Sequence, residues 1–346
     1  MAVEPEAGRG KDARTVRWGV VGLGRLVEQW MVPAIRQSPG SQLVACLGSS
    51  PEKTRAFAAR HGVAGIHDDP ESLAADPAVD AIYVCTPNAL HGAAVFAAAR
   101  HRKHVLCEKP LSIDLAEAVA MTQACRDAGV VLRVAHQIRL EPVIRRLREV
   151  VQSGELGELR AISLERNGPM GGTRAPWRLD MRQGGALFDM AVHLLDLVQW
   201  VSGLPYTEVC ALSHPDRRAG LPDETVTVLA MLGSGCQAVV RATREMPSVR
   251  NDFVLQGTRG MASTSALRWT DRHVLTITTP EGSREEAFTA APSAYRLEID
   301  AFEAELAGVR TDLPDGESGV ALVEVTRAIM QSIDERRTVP VTGARA

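Results

Sequence analysis

The chain has no long apolar run, no excess of positive charge and no closely paired cysteines, and each absence removes a class of function. Without such a run, nothing in its 346 residues reads as a helix able to cross the ~30 Å apolar core of a bilayer. A formal charge of −3 and a pI near 6.3 supply no general attraction to a phosphate backbone or to anionic lipid, so neither nucleic acid nor membrane is expected as a partner. Six cysteines (Cys46, Cys85, Cys107, Cys125, Cys210 and Cys236) are widely spaced, form no C-x-x-C pair and mostly sit in apolar runs, which fits reduced core thiols. His101 and His104 stand close together but have no Cys, Asp or Glu cluster beside them, and no metal is expected. Repeats, heptads and low-complexity tracts are missing as well, which sets aside solenoid and coiled-coil architectures.

What is present is an ordinary globular composition, 45% hydrophobic and 23% charged, on a chain longer than one hydrophobic core usually serves. Two domains follow. The first fourteen residues, MAVEPEAGRGKDAR, are polar and lack the apolar core of a signal peptide; they read as a disordered leader without a targeting role, and a cytoplasmic location is expected.

Over residues 15–138 short apolar runs alternate with helical patterns, the grammar of a Rossmann-type α/β domain with a parallel sheet. Strands are expected over 16–21, 43–47, 81–85, 105–107 and 130–134, nearly all apolar as burial on both faces demands, and helices over 27–37, 51–61, 90–100 and 115–127. Over residues 139–346 the pattern becomes α+β. Helices are expected over 142–153 and 189–201, with alternating segments such as 225–232 and 237–243 joined through Gly233-Ser234-Gly235. A largely antiparallel open sheet results, and self-association as a homodimer or homotetramer would cover it. The last helix, over 318–334, places Leu322, Val325, Ile329 and Ile333 on one stripe and is assigned packing alone.

Directly after the first strand comes Gly22-Leu23-Gly24-Arg25-Leu26-Val27. In such a strand-to-helix turn Gly22 permits the tight bend and Gly24 lets the backbone approach a pyrophosphate; Val27 replaces the third glycine of the usual pattern. An ordinary tight turn would look the same, but its place at the first βα junction points to a dinucleotide, with Arg25 and Leu26 completing the contact. After the second strand an Asp or Glu would bond the free ribose hydroxyl of NAD. Here the chain reads Gly48-Ser49-Ser50-Pro51-Glu52-Lys53, so Ser49, Ser50 and Lys53 are candidate partners of a 2′-phosphate, and NADP(H) is expected ahead of NAD(H). Ser50 before Pro51 equally fits a plain helix N-cap.

Two more motifs fall at the carboxyl edge of the sheet, where open α/β folds bind ligands: Thr86-Pro87-Asn88, with His91 after it, and Cys107-Glu108-Lys109-Pro110. A lysine there stands near the nicotinamide and can give a proton to a carbonyl oxygen as hydride reaches its carbon, with desolvation lowering its pKa. Alone, an E-K-P triplet is a surface turn.

Together these motifs resemble the glucose–fructose oxidoreductase and inositol dehydrogenase (Gfo/Idh/MocA) family, in which the glycine turn, T-P-N-x-x-H and E-K-P occur in this order. The resemblance continues through Gly184-Gly185-Ala186-Leu187-Phe188-Asp189-Met190-Ala191-Val192-His193, similar to the family's glycine-rich D-x-x-x-H helix, and covers about residues 17–341. It implies the two-domain fold, a nicotinamide cofactor contacted by Thr86, Pro87, Asn88, His91, Glu108 and Lys109, and Lys109 as the catalytic lysine. It also implies His193 as a second acid/base or substrate partner and Asp189 as a group orienting a sugar hydroxyl or Lys109. The two stand four apart, on one face of a helix. Outside the resemblance they fit a capping acid and a satisfied core histidine. Trp177-Arg178-Leu179-Asp180 looks like the matching run of the anhydrofructose reductase branch, where the arginine faces substrate, which makes Arg178 a substrate candidate; the serine-rich loop looks like the same NADPH-using branch.

Hydride transfer between nicotinamide and a sugar, keto-sugar, cyclitol or related polyol is therefore expected, with Lys109 as proton donor or acceptor. Two other classes fit the same fold. One is a non-catalytic nucleotide-sensing regulator, against which the intact Glu108-Lys109-Pro110 argues; the other is a redox-neutral NAD-dependent glycosidase.

Overall fold

The computed structural model describes residues 15–168, 175–247, 251–265, 272–289 and 291–342; the leader expected over 1–14 lies outside them. Six strands, β1 (Val16–Val21), β2 (Ser41–Leu47), β3 (Gly65–Ile66), β4 (Ala81–Val84), β5 (His104–Glu108) and β6 (Leu132–Ala135), form a parallel sheet in the order β3-β2-β1-β4-β5-β6. Strand order reverses between β1 and β4, which opens a crevice at the carboxyl ends of both. Helices α1 (Val32–Gln37), α2 (Pro51–His61), α3 (Pro70–Ala75), α4 (His91–Arg100) and α5 (Leu115–Asp127) cover the two faces. Strand residues alternate between two cores: Trp18, Val20 and Tyr83 into one, Val21, Ile82 and Val84 into the other. Short β3 and α3 were not legible in the sequence, and the expected helix over 27–37 begins as a π-helical turn, Val27–Met31, before α1.

The second domain holds a sheet whose described strands are β7 (Leu159–Asn167), β8 (Tyr206–His214), β9 (Thr225–Leu232), β10 (Gln237–Thr243), β11 (Asn251–Gly257), β12 (Met261–Thr264), β13 (Arg272–Thr279), β14 (Gly282–Thr289) and β15 (Val339–Pro340). Their order is β14-β13-β12-β11-β7-β10-β9-β8-β15, antiparallel throughout except for β7 beside β10. Helices α6 (Pro142–Gln152), α7 (Val192–Ser202) and α9 (Gly316–Glu335) pack on one face of this sheet. The other face leaves Leu212, Leu229 and Val239 exposed, with Val239 directly opposite Leu229.

Helix α8 (Ala294–Leu306), absent from the expectation, returns to the first domain. Its Tyr295, Ile299 and Phe302 share a core with Trp18, and the Phe302 ring centroid lies 5.1 Å from that of Trp18. Helix α9 then serves both bodies: Val323 packs under the first sheet, while Leu322, Val325, Ile329 and Ile333 pack under the second. No helix among the described residues is long and apolar enough to cross a membrane.

Candidate active site

The glycine turn sits at the switch point. Gly22 has φ +95°, and a Cβ there would collide with the main chain of Cys85 at the end of β4, so only glycine lets the two strand ends close together. At Gly24 a Cβ would meet nothing within 4 Å, leaving the outer edge of the turn open to a bulky partner. Arg25 is exposed on that edge, Leu26 is half-buried, and Val27 packs in the core where the third glycine would have been. Thr86 Oγ1, next to the turn, is buried without a hydrogen-bond partner among the described residues. An open glycine edge beside an orphaned hydroxyl fits a bound dinucleotide. At the end of β2, Lys53 Nζ donates to Ser49 Oγ at 3.1 Å, so a cation and a hydroxyl converge on the exposed surface. Ser50 also caps α2, its Oγ accepting from the Lys53 N–H at 3.3 Å.

Lys109 follows β5 and reaches across the domain boundary. Its Nζ donates to the main-chain carbonyls of Phe188 (3.2 Å) and Asp189 (3.1 Å), both on the π-helical turn Leu187–Ala191 that leads into α7. An ammonium has three N–H bonds, and two carbonyls leave one for another oxygen. Desolvation lowers the Lys109 pKa to about 8, against the opposing pull of Glu108 and Asp189. Glu108 is sealed beneath it: the Tyr83 hydroxyl donates to Oε1 at 2.7 Å and the Lys109 N–H to Oε2 at 3.2 Å.

Asp189, expected to orient a sugar hydroxyl or Lys109, accepts from Lys109 Nζ through its main-chain oxygen. The carboxylate is clamped between two guanidiniums, Oδ1 accepting from Arg178 and Oδ2 from Arg244 Nη1 at 2.8 Å. Arg178, the substrate candidate, spends one nitrogen on this contact and stacks over Trp177, with its side chain 30% exposed. His193 begins α7 and is buried; desolvation, with Lys109 and Arg166 beside it, holds its pKa well below the ordinary value, so the ring is neutral. Gly184 and Gly185 make this turn compact, because a Cβ on either would collide with the Arg178 main chain or the Asp223 carboxylate.

Two expected nucleotide contacts are otherwise engaged. His91 is fully buried, with Nδ1 2.9 Å from the Pro110 oxygen and Nε2 3.2 Å from the Thr86 oxygen, so it ties the two motif loops together from behind. Asn88 points at the second domain, Nδ2 donating to the Gln183 carbonyl at 2.8 Å, while half-buried Pro87 forms the bend before it. Residues the sequence reading missed are Arg244, Asp223, Arg166 and His136. Asp223 accepts the Leu187 N–H at 2.7 Å and so starts the π-helical turn, and Arg166 Nη1 is buried without a partner among the described residues. Arg244 follows β10, which packs on the π-helical turn that carries Asp189, and no local spacing signals their contact. His101 and His104 are separately used, His101 facing Glu71 and His104 Nδ1 accepting the Val131 N–H.

Residues 16–136 match an oxidoreductase family with an NAD-binding Rossmann fold, and residues 144–263 match the GFO/IDH/MocA C-terminal domain. The chain is 31% identical over 323 residues to a 1,5-anhydro-D-fructose reductase of Ensifer adhaerens, covering 91% of this chain and 96% of that one. It is 26% identical over 336 residues to a myo-inositol 2-dehydrogenase of Thermotoga maritima, covering 94% and 98%. The crystal structure of an aldose-aldose oxidoreductase from Caulobacter crescentus shares the fold with a TM-score of 0.84 at 24% identity, over 94% of this chain and 100% of that one. With both domain types matched in order around one lysine-bearing crevice, the chain belongs to the GFO/IDH/MocA family and is an NAD(P)-dependent oxidoreductase.

Proposed function

We propose that the protein interconverts a CH–OH and a C=O group on a sugar, keto-sugar, cyclitol or related polyol, with Lys109 giving or taking the oxygen-bound proton. The observation that carries this is Lys109 itself: an ammonium held by two carbonyls, with one donor spare and a pKa lowered to about 8. When bound, the nicotinamide supplies the site that gives or receives hydride. Lys109 holds the proton at the reacting oxygen, and neutral His193 offers a lone pair to a neighbouring hydroxyl. Asp189, Arg178 and Arg244 fix the turn whose carbonyls aim the lysine. The names of the two relatives, an anhydrofructose reductase and an inositol dehydrogenase, support a substrate of this class.

NADP(H) is proposed ahead of NAD(H), on the missing acid after β2 and the Lys53–Ser49 contact that stands in its place. Self-association through the outer face of the second sheet is proposed on the exposed Leu212, Leu229 and Val239. The test is a fluorescence titration of purified protein with NADPH and NADH, followed by turnover assays with keto-sugars and polyols. Nucleotide binding with turnover of such a substrate supports the proposal; binding of neither nucleotide overturns it.

A further inference from the structure

One cation at the site has no counter-charge among the described residues. Arg166 lies near the end of β7, on the same face of the strand as Ile162 and Leu164, opposite Ala242 on β10 and Asn251 on β11. Ile162, Leu164 and Ala242 belong to the core that α7 covers, so the Arg166 side chain lies on the helix-covered face with theirs. Glu165 and Asp252 alternate to the other face, where Glu165 pairs with Arg241. On its own face Arg166 stands within electrostatic reach of Lys109, His193, Asp189 and Tyr295. Its Nη1 is buried without a partner among the described residues, whereas the residue as a whole is half-buried and part of it stays accessible.

The charges around it are otherwise matched. Asp189 is shared by Arg178 and Arg244, and Arg244 also pairs with Glu224. Glu108 lies beneath Lys109. Two carboxylates thus serve two guanidiniums, a third serves the lysine, and Arg166 is left over. Taking a guanidinium out of water without a counter-ion is unfavourable, and a ligand that carries the missing charge offsets this. The deficit is a single charge, which a carboxylate matches and a phosphate dianion overshoots. A carboxylate also accepts two parallel N–H bonds from the guanidinium fork, whereas a neutral hydroxyl leaves the charge uncompensated. We propose that Arg166 is a substrate-binding residue and that the sugar-like substrate is an acid, whose carboxylate pairs with Arg166 while Lys109 acts on another of its carbons. That the acid is turned over rests on the function proposed above; that the site binds an acid does not.

The test is calorimetric titration of the full chain, with and without oxidised nucleotide. The ligands are glucuronate, galacturonate and gluconate, each beside its neutral counterpart glucose, galactose or glucitol, with glucose 6-phosphate as the phosphate arm. At least one acid is expected to bind roughly tenfold or more tighter than its neutral counterpart and than the phosphate. Arg166→Met abolishes that margin and leaves nucleotide affinity unchanged; because it removes an unpaired charge, its Tm stays at or above that of wild type. Arg166→Lys, which keeps the charge and loses the fork, restores part of the margin. Acids that bind no better than their neutral counterparts, tightest binding by glucose 6-phosphate, or a margin that survives Arg166→Met overturns the proposal. Should the Met variant fail to fold, the wild-type margin and the Lys variant decide. Acid binding without turnover would sink the oxidoreductase reaction alone, and turnover of neutral sugars with no acid margin would sink this inference alone.

Discussion

Arg244 Nη1 donates to Asp189 Oδ2 across 2.8 Å, between side chains that are 0% and 4% exposed. Asp189→Asn removes the carboxylate charge that pairs with Arg178 and leaves Arg244 its ion pair with Glu224 and its bond to the Asp223 carbonyl. The variant is expected to lose about 3 kcal/mol of stability, read as a lower urea midpoint. Unchanged stability with lost turnover would show instead that the carboxylate acts on substrate directly.

Lys109→Met is expected to cut turnover by roughly 10²- to 10⁴-fold while nucleotide binding persists. The pH dependence has a definite sign. Reduction needs the ammonium, so its kcat/KM falls as pH rises through about 8; oxidation needs the free amine and rises through the same value. Profiles measured in both directions check this, and two curves bending the same way would remove Lys109 from the proton transfer.

Lys53→Ala tests the cofactor preference. Loss of the cation beside Ser49 is expected to weaken NADPH roughly tenfold, by about 1.4 kcal/mol, and to leave NADH as it was. Ser49→Asp places a carboxylate at the end of β2 and should tilt preference toward NADH. Equal effects on both nucleotides would place the 2′-phosphate elsewhere.

Glu298 on α8 is fully buried, and neither carboxyl oxygen has a partner among the described residues. Burial, with Glu108 nearby, pushes its pKa well above the usual carboxylate range. A raised folded-state value means that its stabilising contribution is complete below the unfolded pKa of about 4.3 and is lost as pH rises through the folded one. Glu298→Gln escapes that loss, so its Tm should match wild type near pH 4 and exceed it by about 2–4 °C at pH 8. Thermal melts across this range decide it; a constant difference would mean that Glu298 does not titrate.

The sequence exposes whatever is governed by burial on both faces or by a backbone requirement. Five strands of the first sheet are apolar runs, Gly22 is dictated by its positive φ, and Lys109 falls at a strand end. What stays hidden depends on register or on broken periodicity. The bond from Asn88 Nδ2 to the Gln183 carbonyl, across the domain boundary, is announced by no local spacing. The π-helical turn from Leu187 to Ala191 interrupts the simple helical spacing that put Asp189 and His193 on one face, and Asp189 meets Arg178 and Arg244 while His193 lies edge-on to His136. Helix α8 buries Glu298 and Glu303 among its apolar residues, so its inward stripe carries carboxyl groups and does not read as amphipathic.

The return of α8 to the first domain also sets a schedule. Trp18 is translated early and Phe302 late, so the part of this core that α8 supplies is filled only after most of the chain has been made, while Met31, Ile35 and Phe57 are at hand from the start. In the finished protein the chain passes from one body to the other after β6, after β14 and again after α8, with α9 wedged between them. Three such threads make a stitched seam, a connection that opposes a wide, single-hinge swing of one half against the other.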